Sequence, residues 1–263
     1  MSFIKSTKNL IAKTIVLYLI HGPIVYYVIG MRRSGNHAFI NWLTNALEEQ
    51  YASLKPKIDN LYITSTGKTV FLDEVNIKSG KRFLSVLWNN RELIKNCQYL
   101  IISAEDCGPN YNNFRIPKWN EAIYIKRSVL NVVASRLRYL QKKASEGIGY
   151  SEHNVDVSFF ETLLEWHSIP ENFKVWEYEK WIVSKEYRLN FLQQLELKVD
   201  IIPTMSSQGG GSSFSGQEKP STVEALSRYE QVNFSPPIIN LVTDVKYQKL
   251  LNQSEVDYLK KNP

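Results

Sequence analysis

Short apolar runs rich in β-branched and aromatic residues alternate along this chain with stretches whose apolar positions recur every three to four residues. The runs at Val25–Ile29, Thr69–Leu72, Tyr99–Ser103 and Ala122–Ile125 show no polar alternation, which predicts strands covered on both faces. Phe173–Tyr178 reads as one more strand. Helical spacing starts at Ala38, Ile40, Trp42 and Leu43, runs over Lys81–Lys95, opens again from about Val129, and returns at Phe159–Trp166 and Arg188–Leu195. Strand and helix in alternation predict an α/β fold, a three-layer sandwich with a central parallel sheet. The 263 residues suit one such domain spanning 1–263, and there is no internal repeat.

The apolar stretch from Leu10 to Ile29 is long enough to suggest a membrane anchor or a signal peptide, but Lys13, His21, Gly22 and Pro23 interrupt it. Pro23 would break a spanning helix. The expectation is an amphipathic helix over about residues 3–20, then the first strand; peripheral membrane contact or a partner-binding role for that helix stays open.

Between the first strand and its helix stands the turn Gly30-Met31-Arg32-Arg33-Ser34-Gly35, followed by Asn36 and His37. Two glycines at this spacing match the G-x-x-x-x-G part of a phosphate loop, in which backbone N–H groups and the helix N-terminus point at an anion. A nucleotide triphosphatase would continue with Lys and Ser or Thr, the lysine for the terminal phosphates and the hydroxyl for Mg²⁺. Here those positions are Asn36 and His37, so the magnesium ligand is gone, while Arg32, Arg33 and Ser34 bring guanidinium and hydroxyl donors to the same loop. The plainer alternative is an ordinary strand-to-helix turn with solvated arginines.

A second strand-to-helix junction puts Arg127 at a strand's C-terminal end and Ser135 eight residues later, with Arg136 and Arg138 beside it. Ligands of open α/β sheets collect outside those ends. Taken together, the two segments resemble the P-loop sulfotransferases that use 3′-phosphoadenosine 5′-phosphosulfate (PAPS), whose second nucleotide motif is an Arg at a strand end with a Ser eight residues on. In that resemblance Arg33, Ser34 and Gly35 fall on the basic, Ser and Gly positions of the 5′-phosphosulfate loop. Asn36 and His37 stand where hydroxyl residues are usual, and Ser128 and Val129 replace the common Asp-Pro, which marks a divergent branch. The match covers about Ile24 to Leu140 and is weaker elsewhere. It implies a P-loop nucleotide-binding fold and sulfuryl transfer from PAPS to a hydroxyl acceptor without a metal. It also implies cofactor-binding roles for Gly30, Arg32, Arg33, Ser34, Gly35, Asn36, His37, Arg127 and Ser135.

The glycine run in Gln208–Gly216, followed by Arg228, reads either as a flexible linker or as the counterpart of the family's late loop over the 3′-phosphate and adenine. In the second reading Gly210, Gly211, Ser212 and Ser213 donate to phosphate. Arg33 is the candidate for charge on the leaving oxygen, with Arg32 sharing. For the base, Glu105 stands first because it follows the strand Tyr99–Ser103; Glu74, after Thr69–Leu72, and His37, at the positive end of a helix dipole, stay open beside it.

The net charge of +6 favours anionic partners, and the scattered basic residues contain no tract of the nucleic-acid type. Cys97 and Cys107 are too few for a disulfide framework and lack neighbours at metal-ligand spacing, which fits a reducing, cytoplasmic compartment. The acceptor-facing stretches would be Asn110–Trp119 and Lys142–Asp156, whose Tyr111, Phe114, Trp119 and Tyr150 lean toward a sugar or glycolipid hydroxyl. The competing readings are a P-loop kinase or NTPase, separated by its need for Mg²⁺, and a non-catalytic anion-binding protein of the same fold.

Overall fold

The computed structural model describes residues 21–53, 55, 61–73, 75, 80–109, 122–147, 154–168, 173–203 and 225–262. The expected N-terminal amphipathic helix, Glu74, the Gly210–Ser213 run and the aromatic residues 111, 114, 119 and 150 lie outside them.

Six strands form one sheet: β1 (Ile24–Gly30), β2 (Leu61–Ile63), β3 (Thr69–Leu72), β4 (Tyr99–Glu105), β5 (Ile123–Lys126) and β6 (Lys174–Glu177), in the order β2-β3-β4-β1-β5-β6. Five run parallel. The expected central parallel sheet is there, and it gains an antiparallel edge strand, β2 pairing with β3, Leu61 opposite Leu72. Three residues are too short for a periodicity signal. The hairpin is tied to the helix after β1 by the buried Glu48, whose carboxylate accepts from Thr64 Oγ1 at 3.0 Å and Thr69 Oγ1 at 2.7 Å.

Among the described residues the helices are α1 (Asn36–Glu48), α2 (Gly80–Asn89), α3 (Arg91–Asn96), α4 (Val129–Ser145), α5 (Val157–His167), α6 (Tyr178–Val183), α7 (Lys185–Gln194), α8 (Pro236–Thr243) and α9 (Gln253–Lys261). The single helix expected over Lys81–Lys95 is two, broken at Asn90, whose side-chain amide joins its own backbone N–H on Val86 O, at 2.8 Å.

Both faces of the sheet are covered, which is why its strands read as unbroken apolar runs. On one face Tyr27, Ile29, Leu100, Ile102 and Tyr124 meet Phe83 and Leu87 of α2, Ile94 of α3 and Trp166 of α5. Tyr124 and Trp166 stack with centroids 4.1 Å apart and planes 4° from parallel. On the other face Val28, Ile101, Ile123 and Ile125 pack under Phe39, Ile40, Trp42 and Leu43 of α1 and under Trp181, Phe191 and Leu192 of α6 and α7. The indole N–H of Trp42, buried in this cluster, donates to Asp200 Oδ1 at 2.8 Å, so the polar edge of the ring is satisfied while its face is spent on packing. A third cluster joins α4 and α5 to α8 and α9. Among the described residues no helix is long and apolar enough to cross a membrane.

Candidate functional site

β1 is flanked by β4 on one side and β5 on the other, and the chain crosses from one half of the sheet to the other between those two neighbours. A sheet of this kind leaves its crevice outside the C-terminal ends of the strands on either side of the crossing. Three segments meet there: residues 31–35 after β1, Glu105 and Asp106 at the end of β4, and Arg127 after β5. Glu105 is the last residue of β4 rather than a residue beyond it.

The loop is built around two backbone necessities. Gly35 ends it at φ 106, a left-handed conformation open to glycine, and the Tyr178 ring lies so close that an added Cβ would sit 2.7 Å from its Cδ2. Arg33 also has positive φ, at 72°, uncommon for a residue with a side chain and held here by bonds from both ends. Its carbonyl accepts from Arg127 Nη1 at 3.1 Å, and the carbonyl of Arg32 accepts from Arg136 Nε at 3.2 Å. Two arginines of the second junction thus turn the loop's carbonyls toward α4. The loop opens into α1, whose N-cap makes no side-chain capping bond and whose first turn carries no acid. The positive end of α1 is available to an anion.

The side chains form three linked groups. In the first, the buried Asn36 amide donates to Met31 O at 3.4 Å and to Glu105 Oε1, and its Oδ1 accepts from Ser34 Oγ at 3.1 Å. Glu105 Oε2 lies 3.4 Å from Arg32 Nε. Asp106 accepts from the Arg32 N–H at 3.0 Å and pairs with Arg136 Nη2, whose guanidinium is otherwise sandwiched over Phe159 at 4.5 Å.

The second group is the junction of the two motifs. Arg33 Nε donates to the buried Ser135 Oγ at 3.4 Å, and the Arg33 guanidinium lies 4.9 Å over the Tyr139 ring. Burial lowers the Arg33 pKa; Tyr139 and Glu105 oppose the fall, and Arg127 and Arg136 add to it. Arg127 lies over Tyr178 at 4.4 Å, donates to Ala225 O at 3.1 Å, and its buried Nε has no hydrogen-bond partner among the described residues, with Glu179 Oε1 4.0 Å away. In the third group, His37 Nε2 is 3.3 Å from Asp73 Oδ1 at the end of β3.

Expected site residues 30, 32 to 37, 105, 127 and 135 are therefore in or beside one crevice. Asp73, Tyr178, Glu179 and Tyr139 were not assigned there from sequence. Tyr139 had a signal, since it stands one helical turn after Ser135 and shares its face. Tyr178 had none: it opens α6, where the strand Phe173–Tyr178 was expected to end. Among the described residues no three His, Cys, Asp or Glu side chains are grouped to hold a metal ion.

Ser128 caps α4, its hydroxyl oxygen accepting from the Asn131 N–H at 3.4 Å, and an acid reaches the same helix start from far along the chain. The Ser128 hydroxyl and the Leu130 N–H both donate to Glu255 Oε1 at 2.6 Å, while Glu255 Oε2 accepts from Asn252 N–H at 2.9 Å in a capping box that starts α9. Burial raises the Glu255 pKa above 4.5, against those three bonds, which lower it. A carboxyl with a raised folded-state pKa stabilises the fold most where it is protonated, below its unfolded value, and that contribution is lost as pH rises through the folded value. Glu255→Gln is thus expected to cost roughly 1–2 kcal/mol of stability. Urea titrations should show a larger deficit below pH 4.5 than at neutral pH; a deficit that grows with pH would refute the shift.

No family model, curated protein or solved structure matches this chain.

Proposed function

We propose that the crevice binds PAPS in a P-loop-type site and that the protein transfers its sulfuryl group to a hydroxyl acceptor, a saccharide or glycolipid. The observation that carries the reading is the bond from Arg33 Nε to Ser135 Oγ at 3.4 Å, with Arg127 on the Arg33 carbonyl. Residues from two separate strand-to-helix junctions, each chosen for a different phosphate of one nucleotide, converge on a few ångströms. Gathering Arg33, Arg127 and Arg136 into a buried crevice is unfavourable by itself, since burial first, and then Arg127 and Arg136, push the Arg33 pKa down, and an anion with two phosphate groups would offset it.

The roles follow from position. Arg33, at the loop, carries charge for the oxygen that leaves with the 5′-phosphate, and electrostatic stabilisation of this kind supplies much of the rate in such transfers. Arg127 and Ser135 take the 3′-phosphate. Glu105 accepts the acceptor's proton, with Arg32 Nε 3.4 Å from its Oε2.

Isothermal titration with 3′-phosphoadenosine 5′-phosphate, adenosine 5′-phosphate and Mg-ATP, with and without EDTA, tests the reading. Tight binding that needs the 3′-phosphate and survives EDTA is expected. Preference for Mg-ATP would make the protein a kinase or NTPase, and no nucleotide binding would leave an anion-binding protein without turnover.

A further inference from the structure

In a nucleotide triphosphatase loop the residue two places after the second glycine is Ser or Thr, and its hydroxyl holds Mg²⁺ together with an acidic residue from a strand. His37 occupies that position here, and its partner is an acidic residue that ends a strand, Asp73 after β3. A hydroxyl and a carboxylate make a place for a cation, whereas an imidazole beside a carboxylate supplies one itself once it is protonated. The Asp73 side chain is 4% exposed and the His37 side chain 30%, so the carboxylate is enclosed and the ring faces outward from it. Phe71 meets the ring edge-on, centroids 6.3 Å apart, and fixes its plane.

We propose that the His37–Asp73 pair stands in for the magnesium ion of this loop, with a protonated imidazole held at Nε2 by Asp73 and donating from Nδ1 to the 5′-phosphoryl group of the nucleotide. The proposal rests on the nucleotide-binding reading above and goes beyond it in naming what neutralises that phosphate. Beside the imidazole stand Asp73, which follows β3, the ring of Phe71, and the N-terminus of α1, in whose first turn His37 lies. The helix end opposes the imidazolium with about half a charge. Asp73 favours it with a full charge at 3.3 Å in an enclosed setting. The site thus takes an adenosine 5′-phosphate free of metal, and His37 leaves the list of candidate bases.

The test is calorimetry at neutral pH with adenosine 5′-phosphate and 3′-phosphoadenosine 5′-phosphate, each in EDTA and in excess Mg²⁺. Wild-type affinities are expected to be the same in both. His37→Gln and Asp73→Asn should each weaken both nucleotides by about tenfold or more, the scale of a hydrogen bond to a charged group. The sign for Asp73→Asn decides the matter, because a carboxylate that merely repelled phosphate would give tighter binding when neutralised. His37→Thr, which recreates the hydroxyl, should gain affinity on adding Mg²⁺, and circular dichroism confirms that each variant is folded. Unchanged or tighter binding by Asp73→Asn, or wild-type binding that collapses in EDTA, overturns the inference while the nucleotide site stands. Wild-type protein that binds neither nucleotide overturns both.

Discussion

Arg127→Ala is expected to abolish the preference for 3′-phosphoadenosine 5′-phosphate over adenosine 5′-phosphate, with a loss of roughly 10- to 100-fold for the first and a much smaller one for the second. The scale is that of hydrogen bonds to a charged group, about 1.5–3 kcal/mol. A guanidinium has five N–H groups. In Arg127 one donates to Arg33 O and one to Ala225 O, while the ring of Tyr178 covers a face, so donors on a rigid fork are left over for a ligand. The side chain is 2% exposed, and its removal takes a donor from each of two carbonyls and the nearby guanidinium from Glu179. A stability loss of about 3 kcal/mol is therefore expected alongside, measurable by urea unfolding. Arg127→Lys keeps the charge but not the fork, and should fall between wild type and alanine in both measurements. Titration calorimetry with the two nucleotides separates structure from recognition: equal losses for both would remove Arg127 from the 3′-phosphate and leave it a purely structural clasp.

The strands that build the sheet were legible because their burial on both faces leaves a continuous apolar run, and β1, β3, β4 and β5 stand within a residue or two of where those runs predict them. The loop after β1 was legible through its glycines, and Arg127 through its place at a strand end. What escaped were contacts made by side chains remote in sequence. Asp106 was visible only as an acid after a strand, yet it sets the Arg32 N–H and pairs with Arg136, thirty positions on. Glu255 lies 127 residues from Ser128, and although its capping box with Asn252 is a local pattern, nothing local says that the same carboxylate reaches α4. Tyr178 illustrates a third reason. An aromatic residue between strand and helix reads as core, and its function as a wall between Gly35 and Arg127 depends on the β5–β6 register, Lys126 opposite Glu177, which no single segment encodes.

The loop's carbonyls are held by Arg136 of α4 and by Arg127 just after β5, so the conformation of the first motif depends on the second being in place. Ordering of one junction is then coupled to ordering of the other, and a change that distorts the loop should be felt at both of the proposed phosphate positions rather than one. Gly30→Ala is the most direct way to cause such a distortion. Gly30 is the last residue of β1, and a Cβ there would overlap Asn36 Oδ1, stand 2.9 Å from Ser34 Oγ and 3.0 Å from Ile125 Cβ. Ile125 belongs to β5 and cannot withdraw without moving the sheet, so Asn36 must leave. With it go its bonds to Ser34, Met31 and Glu105. Overpacking of this kind costs about 1–3 kcal/mol, which the sheet should survive. Nucleotide binding should not, and the loss is expected to be comparable for adenosine 5′-phosphate and its 3′-phosphorylated form, in contrast to Arg127→Ala. Gly67→Ala is the control: Gly67 has φ 74 and nothing within 4 Å of an added Cβ, so the substitution carries backbone strain without touching the crevice. If Gly30→Ala binds both nucleotides as Gly67→Ala does, while circular dichroism shows both folded, the crevice beside β1 is not where the nucleotide sits.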